Sequence, residues 1–228
     1  MHTDRKTAII SGLLLIAAAV AGVLSLAFTG AVNEQDYLIK LAENRTSMII
    51  GALLESIMAF ACAGIAIWLY PVLKRYDEAL ALGSVGFRII EAVFFIVAAI
   101  GLLSLWTVSQ EYVKAGATAG PHFQTVGALL LTVRFWASFV FAAIAFCLGA
   151  LMYYYIFYQS RLIPRWLSGW GLIAIILHLA EVILTMFALV KPLSTIQFVM
   201  NLPIFLQEMA LAVWLILKGF NPSAVVSR

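Results

Sequence analysis

Long apolar runs separated by short polar segments make up most of this 228-residue chain. The first run, residues 7–32, contains no Asp, Glu, Lys or Arg. Five further runs contain no more than two of these residues each, and they cover 46–73, 79–110, 115–160, 166–190 and 192–217. Each run is longer than the roughly 20 residues that a helix needs to cross ~30 Å of hydrocarbon. The pattern therefore predicts about six membrane spans.

The spans are predicted to be helices because lipid offers no hydrogen-bond partner to the backbone. A transmembrane barrel would alternate apolar and polar residues, and these runs do not. The first run is expected to stay as an uncleaved helix, since no clear cleavage site follows it. The fold class is an all-α polytopic transmembrane helix bundle, forming a single transmembrane domain over residues 1–228. The predicted helices are approximately 7–30, 47–70, 80–107, 121–157, 166–190 and 195–218.

Composition and charge support a membrane protein and exclude several other classes. The chain is 64% hydrophobic and only 11% charged, whereas soluble domains contain about 25% charged residues. The net charge of +3 needs no nucleic-acid partner, because topology accounts for it. With the N-terminus inside, the inner segments contain Arg5, Lys6, Lys74, Arg75, Arg161, Arg165, Lys218 and Arg228, and the outer ones Lys40, Arg45, Lys114 and Lys191. This bias predicts a multi-pass membrane protein with both termini in the cytoplasm.

Ionisable and polar residues inside the predicted spans are the candidate functional residues. Each costs about 2.5–3.5 kcal/mol on insertion scales, so they are expected to face the bundle interior. Helical spacing places Arg88 with Glu91, and His178 with Glu181, on shared faces. We predict one polar cluster, built from helices two to six, which binds a ligand or an ion. Its members are Glu55, Arg88, Glu91, Arg134, His178, Glu181, Asn201 and Glu208.

The charges of this cluster do not balance. Four carboxylates face two guanidiniums and one imidazole, and an uncompensated net charge is unfavourable in a low dielectric. Either one or two Glu side chains hold protons at neutral pH, or His178 is charged, or a cation or cationic ligand binds there. This excess favours a protein that binds or transports a proton, a cation or a small cationic or lipophilic molecule.

Two alternative functions remain open. The buried ion pairs could only hold the bundle together in a structural or sensory subunit. Alternatively, the protein could be an intramembrane metal-dependent enzyme, although only His178 and Glu181 offer a pair of metal-grade ligands on adjacent turns. We find no phosphate loop, zinc-ligand spacing or nucleophile elbow, and we predict no catalytic residue, no metal and no cofactor. The expected partners are the lipid bilayer and a small ligand or ion, and the oligomeric state stays open.

Three stretches of the chain together resemble a known family. They are LYPVLKRYDEALALGSVGFRIIEA (69–92), IPRWLSGWGLI (163–173) and LPIFLQEMALAVWLILKGFNPSA (202–224). They are similar to a bacterial six-helix membrane family known as domain of unknown function number four-three-eight-six. The resemblance covers nearly the whole chain and implies a bacterial inner-membrane protein, but it implies no reaction.

Overall fold

Helices form almost all of the structure, a computed structural model that describes residues 2–34, 36–116, 120–192 and 194–222. Six helical spans in this part of the chain are long and apolar enough to cross a membrane, which confirms the predicted all-α fold and its six spans. The basic residue Arg228, which the sequence assigns to the inner side, lies outside the described residues. The eight α-helices of the described chain are α1 (His2–Thr29), α2 (Tyr37–Glu43), α3 (Arg45–Leu73), α4 (Glu78–Ala115), α5 (Gly120–Phe135), α6 (Ala142–Ser160), α7 (Arg165–Met186) and α8 (Thr195–Leu217).

The spans form a closed ring in chain order. Helix α1 packs on α3, α3 on α4, α4 on α5 and α6, α6 on α7, and α7 on α8, which returns to α1. Every span has hydrophobic residues on all of its faces. Which faces contact each other is therefore decided by how closely the side chains pack. Small residues permit the closest approaches. At Gly171 of α7, for example, an added Cβ would lie 2.5 Å from the ring of Tyr154 of α6.

The ends of α1 and α8 meet on one side of the ring, which we call the terminal side. The Arg5 guanidinium donates hydrogen bonds to the carbonyl oxygens of Leu215 (3.2 Å) and Ile216 (2.6 Å) at the end of α8. A cation at a helix C-terminus satisfies free carbonyls and complements the helix dipole. Asp4 pairs with Arg75, which follows α3, at 2.8 Å. Both contacts fix the start of α1 to its neighbours.

Two hydrophobic clusters hold the bundle together at opposite ends. The larger one fills the terminal side and includes Leu69, Tyr153, Phe157 and Leu215. The smaller one lies at the opposite end of the bundle, which we call the far side. It is formed between α3, α4 and the short helix α2, around Leu41 and other buried residues. The sequence did not predict α2, because seven residues are too few to produce a clear amphipathic pattern. The far-side region next to α1, α7 and α8 belongs to neither cluster.

The fourth span departs from a regular helix at its centre. Helices α5 and α6 are joined by a π-helical segment, Trp136–Phe141, so the span runs continuously from Pro121 to Ser160. The sequence predicted one long helix at 121–157 and did not predict the wider turn. Isolated π-helical turns occur mostly within α-helices and often at functional sites, because they redirect the side chains around them. Here the segment brings Ser138 and Phe139 to the interior of the ring.

Candidate functional site

A cavity of about 330 Å³ lies inside the ring, and side chains from all six spans line it. Its apolar wall includes Leu15 and Val23 of α1, Phe95 of α4, Phe146 of α6 and Phe205 of α8. Its polar lining contains six of the eight residues that the sequence grouped together: Arg88, Glu91, His178, Glu181, Asn201 and Glu208. The volume falls within the range of small-molecule sites, about 300–1,000 Å³.

Arg88 and Glu91 form an ion pair on one face of α4. Their side chains are almost fully buried, and Arg88 Nη1 lies 2.9 Å from Glu91 Oε2. These two atoms are not aligned as a hydrogen bond, and neither has another hydrogen-bond partner. Arg88 Nε donates to the carbonyl oxygen of Cys62 at 3.3 Å, and its guanidinium lies 4.9 Å from the centre of the Phe146 ring. The guanidinium is therefore held in place while its pair with Glu91 borders the cavity.

Arg88 fits between α4 and α6 because Gly149 of α6 has no side chain. A Cβ at that position would lie 3.2 Å from Arg88 Cγ. Such a contact is tighter than ordinary van der Waals packing, so a Cβ there would require its neighbours to shift by a few tenths of an ångström.

His178 and Glu181 sit one turn apart on α7 and share a network with α8. His178 Nδ1 is hydrogen-bonded to Asn201 Oδ1 and lies 3.5 Å from Glu181 Oε2. Glu181 Oε1 accepts hydrogen bonds from Thr185 Oγ1 at 2.7 Å and Gln197 Nε2 at 2.9 Å. With both neighbours of Nδ1 being acceptor oxygens, Nδ1 carries the ring proton. Glu181 is consequently a well-partnered carboxyl group.

Glu208 of α8 differs from the other carboxyl groups of the cavity. Its Oε1 atom is buried and has no hydrogen-bond partner. No ion pair to Glu208 is present among the described residues. A buried polar oxygen without a partner costs about 1–3 kcal/mol. The cavity that Glu208 lines provides space for a group that would satisfy this oxygen.

Glu55 and Arg134 form a separate pair, so the structure does not bring all eight candidate residues together. Arg134 Nη1 and Nη2 donate to the two carboxylate oxygens of Glu55 at 2.9 and 2.6 Å, and Nη1 also donates to the Ala98 carbonyl oxygen at 2.7 Å. Ala98 lies seven residues beyond Glu91 on α4, which is two helical turns or about 10 Å. This difference in depth separates the pair from the cavity, and neither residue lines it.

Two polar residues of the interior were missed by the sequence prediction. Gln197 lies one turn before Asn201 on α8, and this helical spacing could have identified it. Gln207 is fully buried, contacts the Tyr154 hydroxyl and donates to the Leu167 carbonyl oxygen at 3.0 Å. These bonds, together with the larger hydrophobic cluster, close the interior toward the terminal side.

The cavity contains an excess of acidic groups. Glu91, Glu181 and Glu208 are opposed by the single guanidinium of Arg88, which leaves two negative charges when all three are ionised and His178 is neutral. Glu55 and Arg134, which do not line the cavity, have opposite charges. The excess of negative charge predicted from the sequence is therefore the same without them. Among the described residues, no three His, Cys, Asp or Glu side chains are grouped to hold a metal ion.

A family model matches most of the chain. The match to Domain of unknown function (DUF4386) covers residues 10–219, which includes every polar residue of the cavity. This chain belongs to the DUF4386 family. The resemblance inferred from the three sequence stretches is thereby confirmed. Searches of curated proteins and of solved structures found no match to the chain.

Proposed function

We propose that this DUF4386 protein binds a small organic cation with an apolar body in the cavity inside its ring of spans. The observation that carries the proposal is the unpartnered, buried oxygen of Glu208 in a cavity with more carboxylates than cations. A cationic group would satisfy that oxygen and offset the local negative charge. The aromatic and aliphatic wall would bury the rest of the ligand.

The apolar wall favours an organic cation over a bare metal ion. Phe95, Phe139, Phe146 and Phe205 all line the cavity, and aromatic faces attract alkylammonium groups. A metal ion would need several oxygen, nitrogen or sulfur ligands converging on one point, whereas Glu181 is already partnered by Thr185 and Gln197. Transport of the bound cation across the membrane would extend this function, and binding is its first requirement.

Benzylammonium, which has N–H donors, and its uncharged isostere, ethylbenzene, provide a direct test of the proposal. We expect the cation to raise the melting temperature of the purified protein in detergent, and the isostere to raise it much less. Glu208→Gln should weaken cation binding about tenfold or more, equivalent to about 1.4 kcal/mol. Glu111→Gln is the matched control, because Glu111 is an exposed carboxyl far along α4 that pairs with Lys114. Equal stabilisation by both compounds, or equal binding by parent and Glu208→Gln, would contradict the proposal.

A structural role is favoured only for the Glu55–Arg134 pair. It joins α3, α4 and α5 through two carboxylate contacts and a carbonyl contact. Neither partner borders the cavity. We therefore separate this pair from the proposed binding residues.

We also propose that the protein lies in a bacterial inner membrane with both termini in the cytoplasm. The support is the excess of basic residues on the terminal side, including Arg161, Arg165 and Lys218. Reporter fusions to the C-terminus, one active only in the cytoplasm and one only in the periplasm, test the orientation. Activity of the periplasmic reporter alone would reverse it.

A further inference from the structure

A second pocket lies on the terminal side, between the α6–α7 connection and the chain that follows α8. Its volume is about 590 Å³. Arg161, Arg165 and Lys218 line it together with apolar residues, and none of its described lining residues is acidic. All three basic side chains are exposed, and none forms an ion pair with a described residue. The pocket is therefore a concentrated positive site, distinct from the acidic cavity.

Backbone contacts give the pocket a defined shape. After α8 the chain turns at Gly219, whose φ of +73° is accessible mainly to glycine. The Asn221 amide then donates to the Leu162 carbonyl oxygen at 2.8 Å. These contacts hold the chain after α8 against the α6–α7 connection. The shape of the pocket is therefore defined by main-chain contacts and not only by surface side chains.

Helix α7 adds to the positive field of the pocket. It begins at Arg165, and no side chain caps its first turn. The free amides and the positive end of the helix dipole at such a terminus favour an anionic group. The helix dipole and the three basic side chains therefore both favour an anion in the pocket.

An apolar groove continues from the pocket along α8. The groove has a volume of about 440 Å³ and is lined by Met209, Ala210, Val213 and Leu217 as well as by Trp214 and Lys218. Trp214 and Lys218 also line the basic pocket, so the two spaces adjoin. Leu217 is 67% exposed and Val213 is 50% exposed. A positive pocket thus opens onto an apolar surface that runs toward the membrane interior.

We propose that the pocket and groove bind one anionic phospholipid. The phosphate group contacts Arg161, Arg165 and Lys218, and an acyl chain lies along the groove on α8. The charge of the pocket matches a phosphate, and basic pockets between helices at a membrane surface suit lipid headgroups. The groove distinguishes a lipid from free phosphate, because only a lipid has an apolar portion to bury there.

Native mass spectrometry of the purified full-length protein tests this proposal. Phosphatidylglycerol and phosphatidylcholine with identical acyl chains are added separately, and the bound fraction of each is measured. We expect tighter binding of phosphatidylglycerol. The double variant Arg165→Gln/Lys218→Gln should weaken it by about fivefold for each charge removed, with little effect on phosphatidylcholine. The matched control, Lys6→Gln/Lys74→Gln, removes two exposed charges from the same side and should retain the preference.

A second comparison separates a lipid from free phosphate. Leu217→Gln should weaken phosphatidylglycerol binding, and inorganic phosphate should displace the lipid no better than chloride at equal ionic strength. Equal binding of the two lipids, or equal losses in the pocket and control variants, would overturn the proposal. Displacement by phosphate beyond that by chloride, without an effect of Leu217→Gln, would identify a free-phosphate site and would also overturn it.

Discussion

The two buried charge sites of this protein differ in balance and in space. At the first, Arg134 and Glu55 are matched one to one, and both carboxylate oxygens accept from the guanidinium. At the second, three carboxyl groups face one guanidinium around a cavity, and Glu208 Oε1 has no partner. Burial of charge in a membrane span is common to both. The combination of uncompensated charge and empty volume is what marks the second site as the binding site that we propose.

The largest effect is expected at the balanced pair. Arg134→Gln leaves the Glu55 carboxylate buried without its cation, and loss of one partner of a buried pair costs about 3–5 kcal/mol. The free energy of unfolding in mixed detergent micelles measures this loss. The double variant Glu55→Gln/Arg134→Gln should recover much of it, since no charge is then left unpaired. Additive losses in the double variant would show that the two side chains do not stabilise each other.

A smaller effect is expected for Arg88. In Arg88→Gln the carboxylate of Glu91 loses its cation but borders a cavity. Water can enter such a space and partly solvate the carboxylate. We expect a loss of about 1–3 kcal/mol in the same unfolding experiment, the range for an unsatisfied buried group. A loss as large as that of Arg134→Gln would indicate that the two sites are equally closed, which would remove the contrast between them.

The hydrogen bonds to Glu181 should contribute less again. Thr185→Val removes one donor to Glu181 Oε1 and leaves Gln197 in place. A hydrogen bond of this kind, made within one helix, contributes about 0.5–1.5 kcal/mol net. Thr107→Val is the control, because the exposed hydroxyl of Thr107 bonds only to the carbonyl oxygen of Leu103 on its own helix. If the two variants lose equal stability, the hydrogen bond from Thr185 to Glu181 makes no specific contribution to the free energy of unfolding.

The smallest change in stability is expected at Glu208. Glu208→Gln removes a charge and breaks no hydrogen bond of Oε1. The unfolding free energy should stay within about 0.5 kcal/mol of the parent, as for substitutions outside stabilising networks, or should rise. A loss above about 1 kcal/mol would show that the ionised carboxylate stabilises the empty protein. Glu208 would then resemble Glu55 rather than a binding group.

The sequence predicted the spans well because their length and apolarity are set by the membrane itself. The predicted helix ends were less accurate than the spans themselves. Helix α4 extends to Ala115 rather than residue 107, and α7 ends at Met186 rather than residue 190. Ala188, with a φ of +57°, follows the end of α7 in a left-handed conformation. Such local terminations depend on turn geometry, which an apolar run does not encode.

The candidate residues were identified more reliably than their grouping. Helical spacing predicted that Arg88 shares a face with Glu91, and in the structure the two side chains form an ion pair. Spacing within one helix cannot show which neighbouring helix supplies a partner, so the sequence did not separate Glu55 and Arg134 from the other six residues. The π-helical segment had no visible signal, since its residues are as apolar as those around it.

Cys62 provides the most direct test of the central claim that the cavity accepts cations. It lines the cavity beside Arg88 and is 6% exposed, whereas the other cysteine of the chain, Cys147, is 0% exposed and does not line it. In a Cys147→Ala background, Cys62 is the only thiol. Its reaction rates with trimethylammonioethyl and sulfonatoethyl methanethiosulfonates are measured in detergent and normalised to a free thiol in water.

The acidic cavity should favour the cationic reagent over the anionic one by about tenfold or more. Glu208→Gln should reduce this preference, and Glu111→Gln should leave it unchanged. A neutral methanethiosulfonate serves as the control for access to Cys62. Equal normalised rates for the two charged reagents, or a preference that Glu208→Gln does not alter, would contradict the proposed cation site.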